Sequence, residues 1–177
     1  MKLLRTIRLD SSDTFVFARA AEPGEWAVCG TFAFWAADPA TLEGKARAQF
    51  RAGFLGVESL GFSTLVQIVE ASTEDQAALI DTLARQLSAH FGAPSPEQAR
   101  AAAEQEVAFV ESLCVAPADT LLALNRSFQD GEIREQFRTL RPRGGPKPLR
   151  AFSFLEVEGE PEAGETVDLL KLAEGKR

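Results

Sequence analysis

STEDQAALIDTLARQLSAHFG, residues 72–92, predicts one helix. SPEQARAAAEQEVAFVESLC, residues 95–114, predicts a second, and the pair sets the helical part of the fold class. Ser72 and Asp75 have the spacing of a capping box, and Gly92 supplies a left-handed stop. Ser95 as N-cap and Pro96 in the first turn predict the start of the second helix. Apolar side chains recur at helical spacing in both segments: Ile80, Leu83, Leu87 and Phe91 in the first, and Ala99, Ala103, Val107, Val110 and Cys114 in the second.

Strand patterns lie on both sides of the helix pair. Residues 1–35 predict a three-stranded meander whose strands are MKLLRTIRLD, TFVFARA and WAVCGTFAFW, and STLVQIVEAS predicts a fourth strand. Between them, Asp38 and Pro39 predict the start of a helix with Leu42, Ala46, Phe50 and Phe54 on one side, and GFLGVESLGF predicts a loop.

The segment after the helix pair, residues 120–140, fits two secondary structures. Asp130 and Gly131 between apolar flanks favour a β-hairpin, whereas EIREQF also consists of good helix formers. We interpret it as a hairpin, and AFSFLEVEG as the last strand. The sequence therefore predicts a single α+β domain over residues 1–160, with a largely antiparallel sheet of about six or seven strands and about three packed helices. Residues 161–177 predict an acidic, partly ordered C-terminal tail.

The aromatic segment WAVCGTFAFW, residues 26–35, holds both tryptophans of the chain. Read as one strand, Trp26, Val28, Gly30, Phe32 and Phe34 point one way and smaller residues point the other. Such a strand belongs in the middle of a sheet or at a subunit contact. Packing alone explains most of the segment.

Composition limits the class of protein. A net charge of -7 and 45% apolar residues indicate a globular protein and argue against a nucleic-acid binder. MKLLRTIRLD lacks the continuous apolar stretch of a signal peptide, and no run is long enough for a membrane helix, so we expect a cytoplasmic protein. Cys29 and Cys114 are expected to be reduced, buried and structural.

No motif predicts a catalytic residue, a cofactor or a metal site. His90 is the single histidine, and its place at the end of a helix favours an interaction with the helix dipole. Nucleophile and phosphate-loop patterns are missing, although the amides of Gly144 and Gly145 are candidates for holding an anion. Glu156, Glu158 and Glu160 share one face of a strand, where a solvated edge is a simpler reading than a cation site.

Charge segregation near the C-terminus is the most distinctive feature. A basic segment is followed almost directly by an acidic block. The blocks either neutralise each other across neighbouring strands or leave the basic segment free to contact an acidic protein partner. The candidate interaction or anion-binding residues are Arg134, Arg138, Arg141, Arg143, Lys147 and Arg150.

Several segments resemble a small proteobacterial protein family of unknown function. They include RTIRLDSSDTFVF, PGEWAVCGTFAFW, GKARAQFRAGFLG and DGEIREQFRTLRPR, and the resemblance covers nearly the whole chain. It implies a small cytoplasmic α+β protein and supplies no activity, cofactor or catalytic residue. Relatives are often encoded near maturation genes for molybdenum-dependent oxidoreductases, which implies an accessory role.

Two functional hypotheses follow. The first is a non-catalytic accessory or protein-interaction module that acts through residues 134–150 and through a dimer contact near the aromatic segment, with an unknown protein or a second copy as partner. The alternative is a small-ligand or anion-binding protein, conceivably an enzyme, with a pocket between the sheet face of Trp26 and Phe32 and the side chains of Arg134 and Arg138. Neither hypothesis involves nucleic acid or a membrane.

Overall fold

A computed structural model describes residues 1–142 and 155–158 of the chain, with residues 141, 142 and 155–158 described by their backbone alone. Within these residues the strands form one sheet in the order β4-β3-β2-β1-β5-β6-β7-β8, and all neighbouring strands are antiparallel. The strands are β1 (Lys2–Ile7), β2 (Trp26–Val28), β3 (Phe54–Gly56), β4 (Phe62–Ser63), β5 (Leu65–Glu70), β6 (Leu121–Gln129), β7 (Glu132–Pro142) and β8 (Leu155–Glu158).

The helices lie in the segments that connect the strands. The α-helices are α1 (Ser12–Val16), α2 (Gly44–Ala52), α3 (Thr73–His90) and α4 (Pro96–Leu113), and two short 3-10 helices span Thr31–Phe34 and Pro39–Thr41. The predicted α+β class, the antiparallel sheet and the three longer helices are confirmed. The tail predicted at residues 161–177 lies outside the described residues.

The helix pair forms as predicted. Ser72 and Asp75 make both arms of the capping box, and the Ser95 side chain accepts a hydrogen bond from the amide of Gln98. Gly92 adopts a φ of 70°. The predicted inward residues of α4 are buried, whereas in α3 Leu79 joins Leu83 and Leu87 in the core and Ile80 is half-buried. The two helices pack against each other, and α4 contacts β1 and β2.

Residues 121–142 form the predicted hairpin. Asp130 and Gly131 have φ values of 55° and 79°, the left-handed pair that a tight turn between twisted strands requires. The helix-forming residues of β7 adopt a strand because alternate positions bury Ile133 and Phe137 against the core, so packing overrides local preference.

The first third of the chain differs from the predicted meander. Residues of TFVFARA lie in the short helix α1 because β1 already has β2 and β5 as its two neighbours. The Asp13 carboxylate in α1 accepts hydrogen bonds from the amide and hydroxyl of Thr64, which hold the helix against the start of β5.

The prediction that the aromatic segment forms one long strand is wrong. It leaves the sheet after Val28, because Gly30 has a φ of 72° and the chain then turns into the 3-10 helix Thr31–Phe34. The predicted alternation therefore ends at Val28. Ala27, Val28, Cys29 and Phe34 are buried in the core, as expected for packing.

The predictions for residues 38–62 are also wrong in part. Asp38 caps the 3-10 helix Pro39–Thr41, and α2 begins separately at Gly44. Phe54 lies in β3 and not on the helix, and the predicted loop contains both β3 and β4. These strands have three and two residues, too short to show a period-two pattern, and they raise the strand number to eight in the described chain.

Candidate functional site

The inner face of the sheet carries a buried arginine. In β6, Leu122 and Leu124 point into the core, and the alternation of the strand sends Arg126 the same way, where 1% of it is exposed. Its register partner on β7 is Glu135, whose carboxylate lies 2.7 Å from the Arg126 Nε atom. A charge buried this completely is stable only when paired and hydrogen-bonded.

Arg126 connects segments that are distant in sequence. Its Nη1 atom donates to the carbonyl oxygens of Phe50 and Gly53, each at 3.0 Å, and its Nη2 atom donates to the carbonyl of Cys29. All three guanidinium nitrogens therefore have acceptors, and one side chain joins β6 to the end of α2 and the end of β2.

Two further side chains complete this arginine cluster. The Thr31 hydroxyl donates to the Glu135 carboxylate, and Glu106 on α4 accepts a hydrogen bond from the amide of Gly30 at 2.9 Å. Burial raises the pKa of Glu106, and the nearby charge of Glu135 acts in the same direction, while the Gly30 amide and Arg126 oppose it. Glu104, two residues away on α4, instead faces solvent and pairs with Arg100.

The two cysteines are buried and unpaired, as predicted. Burial raises the pKa of Cys29 well above its usual range, with contributions from the charges of Glu106 and Glu135. Burial also raises the pKa of Cys114, to about 11. Both thiols are therefore protonated near neutral pH and lack the thiolate character of a nucleophile.

The arginine cluster has the chemistry of a structural clamp. Its cation is saturated by carbonyl and carboxylate acceptors, and its neighbouring thiol is inert. Sequence reasoning missed it, although the period-two pattern of LLALNRSF, residues 121–128, puts Arg126 on the apolar face. That position is the signal for a buried, paired charge.

Three of the six predicted basic residues lie on β7. Arg134 and Arg138 are exposed on the outer face, and Arg134 lies 3.7 Å from Asp130. Arg141 is the register partner of Glu156 on β8, so a basic and an acidic position oppose each other in adjacent strands. Arg143, Lys147 and Arg150 lie outside the described residues, as do Gly144 and Gly145.

The residues of the predicted pocket are not brought together. Trp26 is half-buried with the Arg5 guanidinium 3.7 Å from its ring centroid, and Phe32 packs edge-on against Phe91 with ring centroids 5.0 Å apart. Strands β1, β5 and β6 separate Trp26 from Arg138.

Three exposed apolar side chains, which we call the aromatic surface, are close in sequence to buried rings of the core. They are Phe15, Val16 and Trp35, of which Phe15 is 72% and Trp35 79% exposed. Val16 directly precedes Phe17, and Trp35 directly follows Phe34. The rings of Phe17 and Phe34 both pack on Phe62, with centroids 6.1 and 5.8 Å away, so the exposed residues flank one buried group of rings.

Helix α2 adds positive charge next to the aromatic surface. Phe50 packs edge-on against Phe34, and Gln49 accepts a hydrogen bond from the amide of Ala18, which fixes α2 beside both flanks of the surface. Its solvent side exposes Lys45, Arg47 and Arg51. None of the three forms an ion pair with another described residue.

A family model matches residues 1–153. The chain belongs to the DUF6505 family of unknown function. The match spans β1 to β7, and so includes both the arginine cluster and the aromatic surface of this DUF6505 chain, while β8 lies beyond it. The predicted membership of an uncharacterised family is confirmed. No curated protein and no solved structure matches the chain.

None of the helices in the described part of the chain has the length and apolar character needed to cross a membrane. No three or more His, Cys, Asp or Glu side chains in residues 1–140 are grouped so that they could hold a metal ion.

Proposed function

We propose that this DUF6505 protein is a non-catalytic accessory protein that binds another polypeptide through its aromatic surface. The observation that carries the proposal is Trp35, a tryptophan 79% exposed on a chain segment anchored in the core. Large exposed aromatic side chains are typical of contact surfaces.

The anchoring of Trp35 supports this role. Phe34 is buried between Phe50 and Phe62, and Thr31 is hydrogen-bonded to Glu135, so both ends of the 3-10 helix are fixed. Because the backbone that carries Trp35 is already fixed, covering this side chain orders little additional backbone, which favours an interface hot spot.

The basic strand β7 is a second candidate contact. Arg134 and Arg138 are exposed there, and an acidic partner is the complement of such a strand. Together with the implied proximity to oxidoreductase maturation genes, these features suggest a cytoplasmic accessory protein that binds a maturation factor or its client.

Site-specific photo-crosslinking in the native host tests the proposal. A benzophenone amino acid at position 35 should give one discrete adduct with another polypeptide after irradiation. The same residue at Val115 is the matched control, because Val115 is 86% exposed but follows the end of α4, away from the aromatic surface. Equal labelling at both positions, or none at position 35, contradicts the proposal.

A charge-reversal variant separates the two surfaces. Arg134→Glu with Arg138→Glu should reduce the yield of the position-35 adduct only if the partner also spans β7. An adduct of twice the 19.2 kDa chain mass would identify a second copy as the partner.

A further inference from the structure

We propose that the outer edge of β7 pairs with the same edge of a second copy of this chain, so that two sheets join antiparallel across a two-fold axis. The inference goes beyond the proposed function, because it uses β7 and none of the residues of the aromatic surface. The observation that carries it is the sequence of this edge, EIREQFR, residues 132–138, in which charged and apolar residues form a self-complementary pattern.

Strand β7 extends well beyond its outer neighbour β8. It pairs with β6 from Glu132 to Leu140, but with β8 only from Thr139 to Pro142. Among the described strands, β6 and β8 are the only ones that pair with β7. Within the described structure, the backbone of residues 132–138 therefore offers an unpaired strand edge about 23 Å long. Such an edge is a template for another strand.

The side chains favour one register for a symmetric strand pair. When Glu135 lies opposite Glu135 of the second copy, Glu132 lies opposite Arg138 on one face of the joined sheet. On the other face, Ile133 lies opposite Phe137. The two-fold axis makes each of these pairs occur twice. Opposite charges and apolar residues directly across from each other stabilise antiparallel strands.

The neighbouring registers are unfavourable. If residue 135 lies opposite residue 133, Arg134 lies opposite Arg134 of the second copy, and if it lies opposite residue 137, Arg134 lies opposite Arg138. Like charges directly across from each other destabilise a strand pair. A shift by one residue would join the exposed face of one strand to the half-buried face of the other. The sequence therefore specifies the register centred on Glu135.

The charges of the central Glu135 pair are compensated inside each copy. The Glu135 carboxylate lies 2.7 Å from the Nε atom of Arg126 and accepts a hydrogen bond from the Thr31 hydroxyl. Its side chain is 16% exposed, so the carboxylate is directed towards its own core. Each glutamate thus reaches the two-fold axis as part of an ion pair, which weakens the repulsion between the two.

Exposed apolar side chains lie next to this edge. Phe128 on β6, 37% exposed, is the register partner of Ile133. Phe109 on α4, 41% exposed, packs on Phe137 with ring centroids 5.9 Å apart. The symmetric pair brings Phe137 of one copy next to Ile133 of the other. Covering these side chains adds hydrophobic stabilisation to the main-chain hydrogen bonds of the strand pair.

Charge exchange tests the interface in the full chain. The unmodified protein should form a dimer of twice the 19.2 kDa chain mass in sedimentation equilibrium. Arg138→Glu alone, or Glu132→Arg alone, should raise the dissociation constant about tenfold or more, because two attractive pairs become repulsive. An equimolar mixture of the two single variants should dimerise as the unmodified chain does, because each pair between the two variants then joins opposite charges.

The fold of the monomer should tolerate both changes. Glu132 and Arg138 are exposed, and neither forms an ion pair with another described residue. Arg85→Glu, at an exposed position of α3, is the matched control and should leave the dissociation constant unchanged. A protein that stays monomeric up to about 1 mM overturns the proposal. A dimer that neither single variant weakens also overturns it, because the contact then lies elsewhere.

Disulfide formation reads the register directly. An oxidised mixture of Arg134→Cys chains and Gln136→Cys chains should give a cross-linked dimer, because these positions lie opposite each other with Cα atoms about 4.5–5.5 Å apart. Either variant alone should not cross-link, because two identical positions are about 8 Å apart on the diagonal. The native cysteines are buried and should not compete. Pairing of this edge with residues of the same chain, or with another protein, gives no such cross-link and overturns the proposal.

Discussion

At the scale of single residues, Arg126 is the side chain on which most of the buried polar network depends. Arg126→Met would remove the Arg126 donors from the Glu135 carboxylate, which keeps only Thr31, and from the carbonyls of Cys29, Phe50 and Gly53. Breaking a buried pair in this way costs about 3–5 kcal/mol, so we expect a loss of that size in urea unfolding. Arg100→Met removes two exposed ion pairs and should change the free energy of unfolding little, because solvent screens both. Similar losses in both variants would contradict the role of Arg126.

At the scale of elements, Gly30 ends β2 and starts the 3-10 helix that presents Trp35. Gly30→Ala would place a Cβ atom 2.5 Å from the Leu55 Cβ atom at a φ of 72°. Gly24→Ala is the matched control, because Gly24 has a φ of 83° and open space around it. Both variants carry the left-handed strain, and Gly30→Ala should be less stable than Gly24→Ala by a further 1–3 kcal/mol, approximately the cost of overpacking. Equal thermal stability would show that the Leu55 contact relaxes freely.

At the scale of the whole molecule, the arginine cluster connects the two ends of the sheet. Arg126 on β6 bonds to the ends of β2 and α2, and Glu106 on α4 bonds to the chain just after β2. We therefore expect one cooperative unfolding transition, with coincident midpoints for Trp26 fluorescence in a Trp35→Phe chain and for helix ellipticity. Two separate midpoints would mean that the two ends of the sheet unfold independently.

The helix pair, the hairpin and the fold class could all be predicted from the sequence. Those features depend on local signals that act within a few residues: the Ser72 and Ser95 caps, the turn at Asp130 and Gly131, and the apolar stripes of α3 and α4. The burial of both cysteines also followed, since a chain with this apolar content places small hydrophobic residues in its core.

The ends of the aromatic segment and the arginine cluster depend on long-range contacts and could not be predicted from the sequence. Phe17 and Phe34 are buried while Phe15 and Trp35 are exposed, and these four residues have similar local preferences. Which ring is covered depends on Phe62 and α2, which are distant in the chain. In the same way, Arg126 is stable in the core because Cys29, Phe50, Gly53 and Glu135 meet around it. Long-range contacts bring those acceptors together, and no short stretch of sequence contains them.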